Sequence, residues 1–422
     1  MKGLNQSFKT EVLAGLTTFI SSVYIIITNA LILSDAGLSQ DGAMIATIFT
    51  CFISTLLMGV ICNVPLIIVP GMGINSLFTY TIVNSMGLTP QQALGAVFVS
   101  GIIFTLIASS KLTQILMDSI PNNLKHSITI GVGFMIFLIG LQKSGIVVSN
   151  ENTMVTLGDI SNKETLLSIV TLFIILLLNL KKVNGSLLIS IVIGTIISIF
   201  VGITDLNTLT SSSFNMSSFN EVFFAMNFDN MFSATFLTAV FSIVIVIVFE
   251  NIGLLYGQLD ALGKLDKFSN SFKVTGVSNI LAGILGVSPT IVAAENFSGI
   301  SVGAKGKISA ITSSILFLLS LFLIPVLKLI PNAVVSAILI YIGIIMIELF
   351  FDLEKGDTVD NISMILIVSL IPFTYNIVNG ISIGFITYTI LNTFTDKKVS
   401  PTMYVLTFIF IINFILTISM GL

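Results

Sequence analysis

The chain has 422 residues, of which 55% are hydrophobic and only 9% charged, and its mean hydropathy is +1.08. Polar surface this scarce cannot cover a water-soluble globule, so the chain is an integral membrane protein. The net charge of −3 says nothing about nucleic acid, but all basic charge is on lysine and no basic patch is present, so no nucleic-acid partner is expected.

The N-terminal MKGLNQSFKTEVLAG is too polar for a cleavable signal peptide, and the apolar run after it is long enough to be kept as a first span. Apolar runs of roughly the 20 residues that cross a bilayer follow one another. In the first half they fall near 13–33, 42–63, 65–83, 91–109, 127–146, 164–180 and 185–203. Beyond a polar segment at 204–232 come 233–257, 272–286, 288–303, 308–330, 332–351, 360–377, 380–395 and 402–421. That makes fourteen spans, or fifteen if the last run is an addition. With the N-terminus in the cytoplasm, only Lys143, Lys163 and Lys328 of the 17 lysines fall outside, and the lysine-free 204–232 is external, as the positive-inside rule requires. Cys51 and Cys62 share one apolar run and read as small hydrophobes. His126 is the single histidine, so no histidine cluster can hold a metal and no cofactor is expected.

The segment 204–232 divides the chain into a first repeat, 1–203, and a second, 233–422. Seven spans in each, an odd number, would set the two in opposite orientations. Third in each half is a short run interrupted by proline and glycine: PLIIVPGMGINSLFTYTIV and GVSPTIVAAENFSGISVG. Pro70 and Pro289 lie 219 positions apart, and Asn75 and Glu295 lie 220 apart, so both the breaks and the polar residues after them correspond. Proline removes a backbone donor, and backbone freed at membrane depth must meet protein or a wet cavity. A half-helix starting after each break would turn its amides toward the midplane.

Glu250, in SIVIVIVFENIGLLYG, and Glu295, just after the second break, lie well inside apolar runs while other acids lie near run ends or in connections. A carboxylate at mid-membrane costs roughly 2.5 to 3.5 kcal/mol to insert, so such residues usually face a substrate or proton path. Each could instead be neutral and bonded to a neighbouring helix.

At these residues the chain resembles the nucleobase/ascorbate transporter family (nucleobase cation symporter family 2), in particular its azaguanine-resistance guanine/hypoxanthine permease branch. TEVLAGLTTFISSVYIIITNALILSDAG, VPGMGINSLFTYTIVNSMGL and ALGAVFVSGIIFTLI follow that branch in order, and FENIGLLYG and GVSPTIVAAENFSG resume the match. The resemblance implies an all-α polytopic fold of two inverted seven-helix repeats, with a core domain (spans 1–4 and 8–11) and a gate domain. It implies third and tenth helices broken by short extended segments, and homodimerisation through the gate. By motif position Asn75, Glu250 and Glu295 match the family's substrate and coupling residues. Phe249 to Leu254 depart from the branch's FDTxGT-like motif, and Pro289 and Ala294 from its tenth-helix motif.

A nucleobase is a flat heterocycle with donors and acceptors along its edge, so carboxylates can take its N–H groups while helix-start amides donate to its carbonyls. Glu295, assisted by backbone near Ala294 and Ile74, is expected to hold the base. Glu250 is expected to take the opposite edge or carry the proton. Asn75 either offers its amide to the base or caps the half-helix. Asn29 is expected to bond between helices. Two carboxylates in one low-dielectric cavity do not both stay ionised, which links base binding to proton binding; sodium would need an oxygen cage instead. The expected function is proton-coupled import of a purine such as hypoxanthine, guanine or adenine at the cell membrane. The alternatives are a xanthine/uracil symporter of the same family and a sulfate-type anion exchanger of the same architecture, against which two acids argue. Nothing in the residues suggests an enzyme.

Overall fold

The computed structural model describes residues 2–183, 185–205, 216–353 and 356–419. Part of the expected connection 204–232 lies outside the described residues. Among the described residues, nine helices are long and apolar enough to cross a membrane, and three shorter apolar ones accompany them.

The first expected span is two helices, α1 (Lys2–Ser22) and α2 (Tyr24–Asp35), joined through Val23. After α3 (Gln40–Leu57) and a π-helical turn, the chain becomes extended as β1 (Ile68–Pro70), then resumes as the short α4 (Met72–Ser76) and a second π-helical stretch, Leu77–Ser85. Next come α5 (Pro90–Ser109), α6 (Leu112–Ser119) and α7 (Asn122–Lys143). The connection after α7 is a hairpin rather than irregular chain, with β2 (Val147–Asn150) antiparallel to β3 (Met154–Leu157). Asn150 Oδ1 accepts from the amides of Asn152 and Thr153 and so shapes its turn. The half closes with α8 (Lys163–Leu180) and α9 (Ser186–Val201).

In the second half, α10 (Ala234–Ala261) and α11 (Phe268–Leu285) lead to a second extended segment, β4 (Thr290–Val292), and the short α12 (Asn296–Val302). Then follow α13 (Lys307–Leu319), α14 (Ile324–Leu327), α15 (Asn332–Glu348), α16 (Thr358–Thr374), α17 (Ile377–Phe394) and α18 (Pro401–Ser419).

Two sets of helices pack internally. The first is α1, α3, α5, α10, α11 and α13; the second is α7, α8, α9, α15, α16 and α17. Small residues let the backbones meet, since lipid supplies no hydrophobic drive between apolar helices. A Cβ at Gly101 of α5 would lie 2.5 Å from the Ile280 amide of α11, and one at Gly283 of α11 would lie 2.8 Å from Phe98. At the membrane edge Glu11 of α1 caps α13, its carboxylate accepting from the amides of Lys305 at 2.8 Å and Ser309 at 3.1 Å.

Candidate functional site

The two interrupted runs meet in the middle of the protein. β1 and β4 pair antiparallel, with Ile68 opposite Val292, Val69 opposite Ile291 and Pro70 opposite Thr290. The ladder is prolonged at both ends by Gly71 N–H to the Pro289 carbonyl at 3.2 Å and Ala293 N–H to the Ile67 carbonyl at 3.1 Å. Close approach explains the glycines of PGMG: a Cβ at Gly71 would lie 2.9 Å from Ile291, and one at Gly73 would lie 2.4 Å from Val132 of α7.

A two-stranded ribbon has two outer edges, and at this depth each free backbone group needs a partner. Side chains of the surrounding helices supply them. Thr55 of α3 bonds the Ile68 amide, and Asn279 of α11 both accepts from the Thr290 amide and donates to its carbonyl, each at 2.9 Å. Asn251, next to Glu250 on α10, accepts from the Val292 amide at 3.0 Å. Asn296 accepts from the Ile67 amide at 2.9 Å and donates to Gln258, which donates to the Ala293 carbonyl at 2.7 Å. Sequence reasoning did not single out Asn279, Asn296, Gln258 or Thr55, and saw Asn251 only as a departure from a motif. Their signal was there, as polar side chains, mostly amides, within or at the end of apolar runs.

Asn75 is fully buried and does not cap its half-helix; the cap position belongs to Gly71. Its Oδ1 accepts from Ser288 Oγ at 2.6 Å, and the same hydroxyl lies 3.1 Å from Asn29 Oδ1. Asn29 also donates to Thr47 of α3 at 2.7 Å, the interhelical role expected of it. Ser288, directly before Pro289, thus ties the second break to the first. Ile74 and Phe78 are fully buried beside Asn75.

The second break is open where the first is closed. Ala294 is exposed, Glu295 is half-buried, and Phe297 is 47% exposed. Glu295 is not bare: the Tyr24 hydroxyl, at the start of α2, donates to its Oε1 at 2.5 Å. Tyr24 is held in turn, since Thr28 Oγ1 donates back to the Tyr24 carbonyl and approaches Met72 Sδ of α4 at 3.6 Å. Glu250 is also half-buried and lines a narrow crevice between α7 and α10 with Lys125, Thr129, Val132, Phe249 and Met346. Glu295 is not among the lining residues of that pocket. Lys125, in the first turn of α7, is, so Glu250 shares its pocket with a cation.

A family model, Xan_ur_permease (Permease family), matches residues 9–415. The chain belongs to this permease family. It is a transporter and not an enzyme, and it carries the nucleobase-transporter pattern read from its motifs. It is 38% identical over 382 residues to the nucleobase transporter PlAzg2 of Paenibacillus larvae, covering 90% of this chain and 77% of that one. It is 29% identical to the guanine/hypoxanthine permease PbuO of Bacillus subtilis, over 98% of both chains. In three dimensions it is similar to the transmembrane domain of a cyanobacterial bicarbonate transporter, BicA, with a TM-score of 0.63 and 16% identity over 90% of this chain and 97% of that one. At that identity the likeness is one of fold. The fold is therefore that of a helical membrane transporter with paired extended segments at its centre.

Proposed function

We propose that this permease is a secondary active transporter that imports a purine nucleobase by proton symport, using alternating access. The observation that carries the reading is the second break: a half-buried carboxylate, Glu295, beside an exposed Ala294 at the start of a half-helix, in an otherwise apolar setting. A carboxylate accepts N–H groups from a flat base, and the exposed backbone at Ala294 lies directly beside it. The names of the similar permeases, which carry nucleobase and guanine/hypoxanthine, support a purine.

On this reading Glu295 and the backbone at Ala294 hold the base, and Asn75 and Ile74 form the wall behind it. Glu250 carries the coupling proton. The two packed sets of helices suit a core domain (spans 1–4 and 8–11) that moves against a gate domain, in two inverted repeats of seven spans, residues 1–203 and 233–422, joined externally by 204–232. The N-terminus is cytoplasmic, the membrane is the cell membrane, and two copies associate through their gates.

The test is uptake of labelled hypoxanthine, guanine, adenine, xanthine and uracil into cells expressing the protein, with and without a protonophore. Saturable purine uptake that collapses with the proton gradient is expected. Uptake that follows a sodium gradient overturns the proton reading, and uptake of bicarbonate or sulfate in place of bases overturns the substrate.

A further inference from the structure

The Tyr24–Glu295 hydrogen bond is a polar contact at the proposed binding carboxylate that the functional reading does not use. A tyrosine hydroxyl donating to a carboxylate is a strong hydrogen bond, and this one joins elements 271 positions apart, the start of α2 and the second break. Tyr24 is only 2% exposed, so it is a fixed part of the wall. Its backbone is fixed as well. The chain turns at Val23 between α1 and α2, and Thr28 bonds the Tyr24 carbonyl while its hydroxyl leans on Met72 of the first half-helix. Tyr24 therefore reaches Glu295 from a position set by both breaks.

The consequence lies in how many acceptor positions Glu295 offers. A carboxylate with both oxygens free can take two parallel N–H groups side by side, the arrangement that suits a ring N–H next to an exocyclic amino group. Here Oε1 is already taken by the Tyr24 hydroxyl, and Oε2 has no bond to another described residue. The half-buried carboxylate, bonded also by its own backbone amide, thus keeps one oxygen that no neighbouring described side chain engages.

We infer that Tyr24 is a specificity-determining positioning residue: it holds the Glu295 carboxylate in one orientation and leaves it one oxygen for the base, so the site favours purines presenting a single ring N–H over those presenting an N–H and an adjacent amino group. Hypoxanthine is of the first kind and guanine of the second, since guanine carries an amino group beside its ring N–H. The inference rests on the proposal that Glu295 binds a nucleobase. Removing the hydroxyl has two separable effects. Glu295 loses its support, which raises KM for hypoxanthine. Oε1 becomes free for a second N–H, which favours guanine.

The experiment is competition between labelled hypoxanthine and guanine for uptake by cells expressing wild type, Tyr24→Phe, Tyr24→Gln or Glu295→Gln, with each protein's membrane level measured by immunoblot. In Tyr24→Phe the guanine-to-hypoxanthine ratio of Vmax/KM should rise about tenfold, the size of one hydrogen bond to a charged acceptor. The hypoxanthine effect should appear in KM more than in Vmax. Tyr24→Gln, which restores a donor, should keep the ratio closer to wild type. A purely structural role would lower uptake of both bases together and leave the ratio alone, so an unchanged ratio in Tyr24→Phe overturns the inference. If Tyr24→Phe does not reach the membrane, Tyr24→Met takes its place against Tyr24→Gln and is read by the same ratio. Glu295→Gln separates the two levels of the argument. If it abolishes uptake while the Tyr24→Phe ratio stays fixed, only the role of Tyr24 falls. If it leaves uptake intact, or if wild type takes up neither base, the nucleobase site at Glu295 falls and the inference with it.

Discussion

At the scale of single residues the two membrane carboxylates differ in what surrounds them, and the difference assigns them different work. Glu295 is anchored by Tyr24 beside exposed backbone, whereas Glu250 makes no hydrogen bond to another described residue and shares a pocket wall with Lys125. An anchored acceptor suits recognition, because its orientation is set before the ligand arrives. An unanchored carboxylate in a small pocket can change its protonation without dismantling a hydrogen-bond network. Two outcomes are expected from purified protein and from cells. Glu295→Ala should weaken purine binding by at least about tenfold, the loss of one hydrogen bond between a base and a charged acceptor, read by calorimetry. Glu250→Gln should retain binding within a few-fold but lose accumulation against a gradient, read by comparing uptake with and without a protonophore. Binding lost in Glu250→Gln and kept in Glu295→Ala would exchange the two roles.

At the scale of elements, the breaks were legible because proline and glycine leave a physical mark: PGMG and VSPT cannot continue a helix, and their matched spacing placed them opposite one another in the two halves. That each break is extended was legible only through the family resemblance, and that the two extended segments pair antiparallel was not legible at all. A three-residue strand has no periodicity to read, and its partner lies some 220 positions away. The outer edges of the pair were no more legible. Asn279 lies 11 residues from Thr290 and Asn251 lies 41 residues from Val292, each on a largely apolar helix. A sequence shows that such an amide is costly in lipid but not which backbone group it serves. Tyr24 was missed for the same reason, as one of seven tyrosines in the chain with nothing local to mark it. The amide edge makes its own prediction. Asn279→Leu leaves both the amide and the carbonyl of Thr290 without their side-chain partner in a buried site, at about 1 to 3 kcal/mol for each group. The unfolding midpoint in detergent should fall by several degrees. Ser278→Ala, one residue away, removes only a hydroxyl bonded within its own helix to the Val274 carbonyl and should leave the midpoint almost unmoved. Equal midpoints for the two variants would mean that the ribbon does not depend on its amide clamp.

At the scale of the whole molecule, the two packed sets of helices are fastened together at one membrane face. Asp35, at the end of α2, accepts from Tyr80 at 2.6 Å and pairs with Lys143 at the end of α7 at 2.6 Å, so one carboxylate joins the first break's helical stretch to the second set. Beside it Thr81 donates to the Tyr375 carbonyl at 2.9 Å, and the Tyr375 hydroxyl donates to Gln142. Lys328 pairs with Asp41 at 2.6 Å at the same end of the helices. Lys143 and Lys328 are two of the three lysines that the expected orientation left on the outer side, and each has a local acidic partner. The Asp35–Lys143 side chains are about one-third exposed, and a single pair of that kind contributes roughly 0.2 to 1 kcal/mol. If the protein works by the alternating access proposed above, breaking the cluster, with the Tyr80 bond to the same carboxylate, should shift the closed-to-open ratio about three- to tenfold. A cysteine at Ser336 reads this, because Ser336 is 1% exposed and lines the small cleft beside Lys143. With Cys51 and Cys62 replaced by alanine, Ser336→Cys should react slowly with a bulky maleimide, and adding Asp35→Asn should speed the reaction by that factor. The exchanged pair Asp35→Lys with Lys143→Asp should slow it again, since the ion pair is restored with its charges reversed. A labelling rate indifferent to Asp35→Asn would mean that apolar packing between the two sets, and not this cluster, keeps the face closed.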